Sequence, residues 1–249
     1  MTESALPTLD VHDALFLDFD GTLADLADRP DAVAIEAGLV DRLARLSKWL
    51  SGALAVISGR EISQIDVHLA PLRLPAAGVH GVQRRSATGR TVHLAAPNLK
   101  EAEASLQAFA SAHPGTFVES KRGAIALHYR LAPKFEAECR EAMSAVASDL
   151  PGMTVMAGKM VFELKPAHAN KGHAVDAFLS EPPFLGRRAI YAGDDVTDED
   201  AIVAVQARGG IGIKVGRGPS AAKCRVAEPA ALRAWLHGQS LVAARAAHG

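Results

Sequence analysis

Asp18 and Asp20 stand one residue apart at the end of the apolar run Ala14 to Phe19, and Gly21-Thr22 follow them. If that run is a strand through Phe19, side-chain alternation puts both carboxylates on one face. Two carboxylates at the carboxyl end of a buried strand suit a hard divalent cation, and one of them can attack phosphorus as a nucleophile. Gly21 allows a sharp turn directly after them. The same residues also fit a strand that ends in a solvated acidic turn. A second cluster weighs against that alternative. Ala189 to Gly193 reads as another short buried strand, and Asp194-Asp195-Val196-Thr197-Asp198-Glu199-Asp200 places five acids in seven residues. Such density is repulsive unless a cation or cationic side chains lie nearby, which favours a metal site shared with the first pair.

Two further stretches carry groups of the right kind. Ala53 to Ile57 is an apolar run that stops at Ser58-Gly59-Arg60, a hydroxyl, a flexible backbone and a fork of donors for phosphate or hydroxyl groups. Lys171-Gly172 follows Asn170 just ahead of a helical stretch from His173 to Leu179, where an ammonium could neutralise the carboxylates. Taken singly, each is as readily an ordinary loop or a surface lysine.

The elements that must position these residues alternate between strand-like and helical. Leu39, Leu43, Leu46 and Leu50 have the three-and-four spacing of an amphipathic helix over Ala37 to Leu50. The strands on either side of it, Ala14 to Phe19 and Leu54 to Ile57, therefore run parallel. The expected fold is α/β, a doubly wound parallel sheet covered on both faces, with ligands outside the carboxyl ends of the strands, where Asp18, Ser58 and Asp194 all fall. The middle of the chain differs. It reads as helix Leu99 to Ala112, strands Thr116 to Ser120 and Ala124 to Tyr129 in a hairpin, helix Pro133 to Asp149, then strands Thr154 to Ala157 and Met160 to Leu164. The expected organisation is a core from residues 1–85 and 168–249, interrupted by an α+β domain at 86–167.

In that order, Asp-x-Asp-Gly-Thr, strand-Ser, Lys and strand-Gly-Asp-Asp resemble the four motifs of the haloacid dehalogenase superfamily of phosphotransferases. Within it the chain resembles the trehalose-6-phosphate phosphatases, through FLDFDGTLA at Phe16 to Ala24, VISGR at Val56 to Arg60, GVHGVQRR at Gly78 to Arg85, LHYR at Leu127 to Arg130, GKMVFELK at Gly158 to Lys165 and YAGDDVTDED at Tyr191 to Asp200. The likeness runs from about Leu15 to Leu236. Gln83 departs from it, standing where many relatives carry an acid, and this puts a neighbouring loop contact in doubt.

The resemblance implies an inserted cap domain and a Mg²⁺-dependent phosphatase acting on trehalose 6-phosphate. Asp18 would be the nucleophile and Asp20 the general acid and base. Mg²⁺ would be held by Asp18, the Asp20 backbone carbonyl and Asp194. Ser58, Gly59 and Lys171 would hold the phosphoryl group, Thr22 would steady the loop, and Asp195 and Asp198 would orient Lys171 or metal-bound water. Arg60 would meet the substrate, and Glu119, Lys121, Arg130, Lys159 and Glu163 would hold sugar hydroxyls. Glu119 and Lys121 are two apart on a strand edge, and Lys159 and Glu163 four apart, so each pair can share a face. Each pair also fits an ordinary surface salt bridge. Of His128 and Tyr129, one is expected to pack into the core beneath. His80 fits a cleft or a structural position equally, and His168 and His173 fit plain structural positions.

Composition agrees with a soluble enzyme. With 249 residues and a formal net charge of −1, the chain has a sizeable core and no basic run, which argues against a nucleic-acid partner. Cys139 and Cys224 lack metal or disulfide spacing. No segment approaches the ~18 apolar residues of a membrane helix, and the polar stretch Met1 to Asp13 lacks a signal-peptide core, so a cytoplasmic protein without a membrane partner is expected. A synthase partner is neither implied nor excluded. Alternatives from the same superfamily are a phosphatase for sucrose phosphate or mannosyl-phosphoglycerate. A catalytically silent sugar-phosphate-binding module is disfavoured by the presence of both Asp18 and Asp20.

Overall fold

The structure is a computed structural model and describes residues 5–27 and 32–246; residues 1–4 of the polar amino-terminal stretch lie outside the described residues. The chain begins with β1 (Asp13–Leu17), α1 (Leu39–Trp49), β2 (Leu54–Ile57), α2 (Ile62–Leu69), β3 (Ala76–Gly78), β4 (Gln83–Arg85) and β5 (Thr91–His93). It continues through α3 (Lys100–Ala112), β6 (Phe117–Lys121), β7 (Ala124–His128), α4 (Glu136–Ser148), β8 (Met153–Gly158) and β9 (Val161–Pro166). It ends with α5 (Lys171–Leu179), β10 (Arg188–Gly193), α6 (Glu199–Ala207), β11 (Ile211–Val215), β12 (Cys224–Val226) and α7 (Pro229–Ala246). Two compact units result, one from the segments up to Val92 and from Asn170 onward, the other from His93–Ala169.

The first unit is α/β, built on an eight-stranded sheet of order β12-β11-β10-β1-β2-β3-β4-β5. Neighbours from β12 to β3 pair in parallel, and β4 turns back antiparallel on β3. Every residue of β1 and β2 is buried, so helices cover both faces, the doubly wound arrangement that continuous apolar runs require. The sheet grows outward in both directions from β1, first through β2 and β3, then through β10 and β11. β1 and β10 therefore flank the point where strand order reverses, and register sets Leu17 beside Ala192.

The elements follow from local chemistry. Leu39, Leu43, Leu46 and Leu50 are fully buried, and α1 packs on α7. Gly38, at φ 78°, delays the start of α1 beyond the expected Ala37. Under the sheet, Phe16 stacks on Phe184 at 5.3 Å and lies 6.0 Å from Phe178 of α5.

The second unit has a four-stranded antiparallel sheet of order β6-β7-β9-β8. Ile125, Leu127, Phe162 and Leu164 point to one face, where Leu106 of α3 and Cys139 and Met143 of α4 complete the core. Tyr129 is the member of the His128–Tyr129 pair that joins this core, stacking on Phe162 at 5.2 Å. The unit spans His93–Ala169, with β5 at its boundary pairing onto the edge of the large sheet.

Phe16→Ala is expected to lower unfolding free energy by about 3–5 kcal/mol through the cavity left between Phe178 and Phe184, read from denaturant midpoints. Phe16→Leu should lose much less. Equal, small losses in both would mean that this cluster is not a main support of the sheet.

Candidate active site

β1 ends at Leu17, two residues short of the expected Phe19. The Asp18 amide still donates to Ala192 O at 2.9 Å, but Asp20 already belongs to a turn in which it bridges Ala24. The common strand face expected for the two carboxylates is therefore not formed, and each has its own surroundings. Gly21 is required twice over: its φ is +77°, and a Cβ there would lie 2.2 Å from Asp194 Oδ2. The Thr22 hydroxyl, fully buried, donates to Asp18 Oδ2 at 3.2 Å.

Lys171 Nζ donates to Asp18 Oδ1 and to Asp198 Oδ1, each at 2.7 Å, and all three side chains are buried. Lys171 is the first residue of α5 and not a residue before it, because Asn170 caps the helix, its side chain accepting from His173 N–H at 2.7 Å. A cation at a helix amino terminus opposes the helix dipole, so the flanking carboxylates must outweigh that as well as desolvation. Burial disfavours the ammonium, yet Asp18 and Asp198 hold its pKa above the ordinary lysine value. Asp198 is also buried, but Lys171, the Tyr191 hydroxyl at 2.5 Å and the Asp195 amide keep its carboxyl below the usual range. Asp18 goes the other way: burial, then the neighbouring Asp198, push it well above the ordinary carboxyl value although Lys171 pulls it down. The site as a whole is short of positive charge.

Asp18, Asp194 and Asp198 each offer a carboxylate oxygen within 4.8 Å of the others. Asp198 has both oxygens engaged, Oδ1 by Lys171 and Tyr191, Oδ2 by the amides of Asp194 and Asp195 at 3.0 and 2.8 Å. With four hydrogen bonds on Asp198 against two on Asp18, Asp198 braces the loop and Asp18 keeps more acceptor capacity for a hard cation beside Asp194. All-oxygen donors in a charge-deficient pocket fit a divalent ion of the magnesium class. Asp195 serves locally: its side chain accepts from the amide of Asp198 and caps the turn Val196–Asp198.

Two supporting residues escaped the sequence reading. Tyr191 aims its hydroxyl at Asp198, and buried Lys214 donates to the Asp194 carbonyl. A signal for Lys214 existed, a charge within the apolar strand Ile211–Val215, paired in register with Gly193.

Ser58 is buried at the carboxyl end of β2, its Oγ accepting from the Arg60 amide at 3.2 Å. Arg60, expected to meet the substrate, is paired with an acid of the first motif. Its Nε and one terminal nitrogen make a bidentate pair with Asp20, both bonds 2.7 Å, while the guanidinium lies 5.4 Å over Phe19. Gln83 serves the loop as an amide: its carbonyl accepts from Ile62 N–H and its amide donates to Glu61 at the start of α2. An ionised acid there could not donate and would repel Glu61.

In the second unit, the polar face of the sheet gathers Glu119, Lys121 and Glu163. Lys121 Nζ lies 2.6 Å from Glu163 and 3.8 Å from Glu119, and His128 Nε2 is 2.9 Å from Glu119. Lys159 does not share a strand face with Glu163. It sits in the turn between β8 and β9, beside Met160 at φ 62°, so period-two alternation does not reach it. Arg130 donates to the Lys159 carbonyl at 3.1 Å.

This chain matches the sequence profile of the trehalose-phosphatase family over residues 16–230. It is 47% identical over 216 residues to a probable trehalose-phosphate phosphatase of Sinorhizobium fredii, covering 86% of this chain and 81% of that protein. It is 38% identical to the trehalose-6-phosphate phosphatase of Escherichia coli, covering 95% and 90%. Among solved structures, a trehalose-6-phosphate phosphatase related protein superposes with a TM-score of 0.78 at 27% identity, covering 94% of this chain and 99% of that one. The C-terminal domain of the Candida albicans trehalose-6-phosphate phosphatase, at 24% identity with 93% of each chain covered, shares the fold with a TM-score of 0.82. With a profile match over most of its length and two such relatives, the chain belongs to the trehalose-phosphatase family.

Proposed function

We propose that this protein is a Mg²⁺-dependent phosphatase that hydrolyses trehalose 6-phosphate to trehalose and phosphate through an aspartyl-phosphate on Asp18. The observation that carries the reading is the buried Asp18–Lys171–Asp198 cluster beside Asp194, at the point where strand order reverses. Family membership supports the choice of substrate.

In this scheme an Asp18 oxygen attacks phosphorus in line and the bond to the sugar oxygen breaks, Asp20 delivering the proton that the leaving oxygen needs. Asp20 then takes a proton from the water that cleaves the aspartyl-phosphate. Ser58, the Gly59 amide and Lys171 hold the phosphoryl oxygens, and Lys171 lessens the repulsion between Asp18 and an incoming dianion. A cation bound by Asp18 and Asp194, with the Asp20 carbonyl, supplies the positive charge this pocket lacks. Glu119, Lys121 and Glu163, with Arg130 and Lys159, engage sugar hydroxyls from the second unit, which acts as the cap. A cytoplasmic setting suits such a sugar phosphate, and no helix among the described residues is long and apolar enough to cross a membrane.

Asp18→Asn is expected to abolish phosphate release while circular dichroism stays that of the wild type; substantial hydrolysis by the folded variant would remove Asp18 from the nucleophile's role. Chelation should stop turnover and Mg²⁺ restore it, with Asp194→Asn requiring more metal. Undiminished activity in excess chelator would exclude the metal scheme.

Glu119→Ala and Lys121→Ala test the substrate. Each should lose about 1–3 kcal/mol of transition-state stabilisation on trehalose 6-phosphate, roughly ten- to a hundredfold in kcat/KM, and little on p-nitrophenyl phosphate. Equal losses on both would make these residues supports of the sheet and not sugar ligands. A wild-type preference for sucrose phosphate or mannosyl-phosphoglycerate in a phosphate-release screen would replace the substrate.

A further inference from the structure

The turn after β3 carries a backbone conformation that its residues do not favour. Val79 and His80 are consecutive non-glycine residues in the left-handed region, at φ 49° and 53°, and a β-branched residue there is a true outlier. Such strain persists only where surrounding contacts over-determine it. Here the contacts are with the groups proposed to hold phosphate. The Val79 amide donates to Arg60 O and the His80 amide to Ser58 O, both at 2.9 Å. The His80 imidazole, nearly buried, fills the space beside Gly59: a Cβ on Gly59 would lie 2.7 Å from Nε2 and 2.9 Å from Cε1. On its other side the turn meets the start of α5. Gly81, at φ +105°, passes so close that a Cβ would come within 3.0 Å of the Asn170 carbonyl, one residue before Lys171.

We propose that His80 is a positioning residue for phosphate recognition. Its left-handed turn is a strut between the Ser58–Gly59 loop and the amino end of α5, and its imidazole fixes where Ser58 and Gly59 stand relative to Lys171. The inference rests on the reading of Ser58, Gly59 and Lys171 as the phosphoryl site. It gives His80 a consequence that a plain core histidine lacks: its loss weakens every phosphate ligand alike, whatever the leaving group.

His80→Gly separates the ring from the backbone, because glycine adopts φ near +53° without cost. His80→Asn serves as a second variant that also tolerates this region. Both are expected to stay folded by circular dichroism. Calorimetric titration of orthophosphate at saturating Mg²⁺ should give affinities lower by roughly tenfold or more, the scale on which sub-ångström to ångström displacements act. The fall in kcat/KM should be the same factor for p-nitrophenyl phosphate and trehalose 6-phosphate. Gly59→Ala should be damaging beside His80 and far less so in the His80→Gly background, where its methyl group has room. Wild-type orthophosphate affinity in a folded His80 variant, or a Gly59→Ala effect equal in both backgrounds, would overturn the proposal. If the wild type turns over no sugar phosphate, the functional reading fails, and the orthophosphate titration still decides the role of His80.

Discussion

A lysine ammonium enclosed between two buried carboxylates is the constraint on which the rest of this structure depends. Taking three charged groups out of water costs several kcal/mol per ion, repaid only with close geometry and full hydrogen bonding. Lys171 meets both acids at 2.7 Å, Asp198 has four partners, and Thr22 and Tyr191 occupy positions that complete the set. The cluster still carries one more negative than positive charge, before Asp194 is added. That imbalance raises the Asp18 carboxyl, after burial itself, and it is the physical reason for expecting a cation among these acids.

The topology brings the charges together. Asp18 follows β1 and Asp194 follows β10, strands far apart in sequence but hydrogen-bonded neighbours in the sheet. Because the sheet winds outward on either side of that pair, no crossover covers its carboxyl end, and the two loops face a common crevice. Side-chain volume then decides how near the acids approach. Gly21 leaves space that Asp194 takes, and at Gly193 a Cβ would lie 2.3 Å from Asp198 Cγ. A methyl group at either position would force the carboxylates apart.

Much of the first unit was legible because buried parallel strands are written as apolar runs that end at polar, glycine-rich loops. The acids and Ser58 were found from those strand ends alone. What failed were inferences from ideal periodicity near a site. β1 stops before Asp18 because the chain must turn to aim Asp18 and Asp20 at different partners, Lys171 and Arg60. Lys159 was placed on a strand face because four-residue spacing suggests it, whereas the β8–β9 turn falls there. Lys171 belongs inside α5 since its cap is Asn170, and a lysine at that end argues against a helix on dipole grounds until its two acids are known. The charge inside the apolar strand marks Lys214, but its partner, the Asp194 carbonyl, follows from register with β10, and Tyr191 reaches Asp198 only through the shape of the loop between them.

The proposed reactive and recognition groups share one further property, which bears on selectivity. Both oxygens of Asp20 are held by Arg60, and Glu119 and Glu163 are held by His128 and Lys121. A ligand that engages these groups exchanges one set of hydrogen bonds for another, so its net gain per contact is small. A ligand lacking the matching hydroxyls leaves the ion pairs closed on one another. Sites that strongly reject an analogue do so by leaving polar groups unpaired. Self-paired groups soften that penalty, so discrimination among disaccharide phosphates must come from several contacts acting together on the same sugar. Were Asp20 the proton-transfer group of the proposed scheme, it would face the same exchange within the first unit, since Arg60 holds both of its oxygens. Under the proposed scheme, the Arg60 pair would then bear on when Asp20 can move a proton as well as on where it sits.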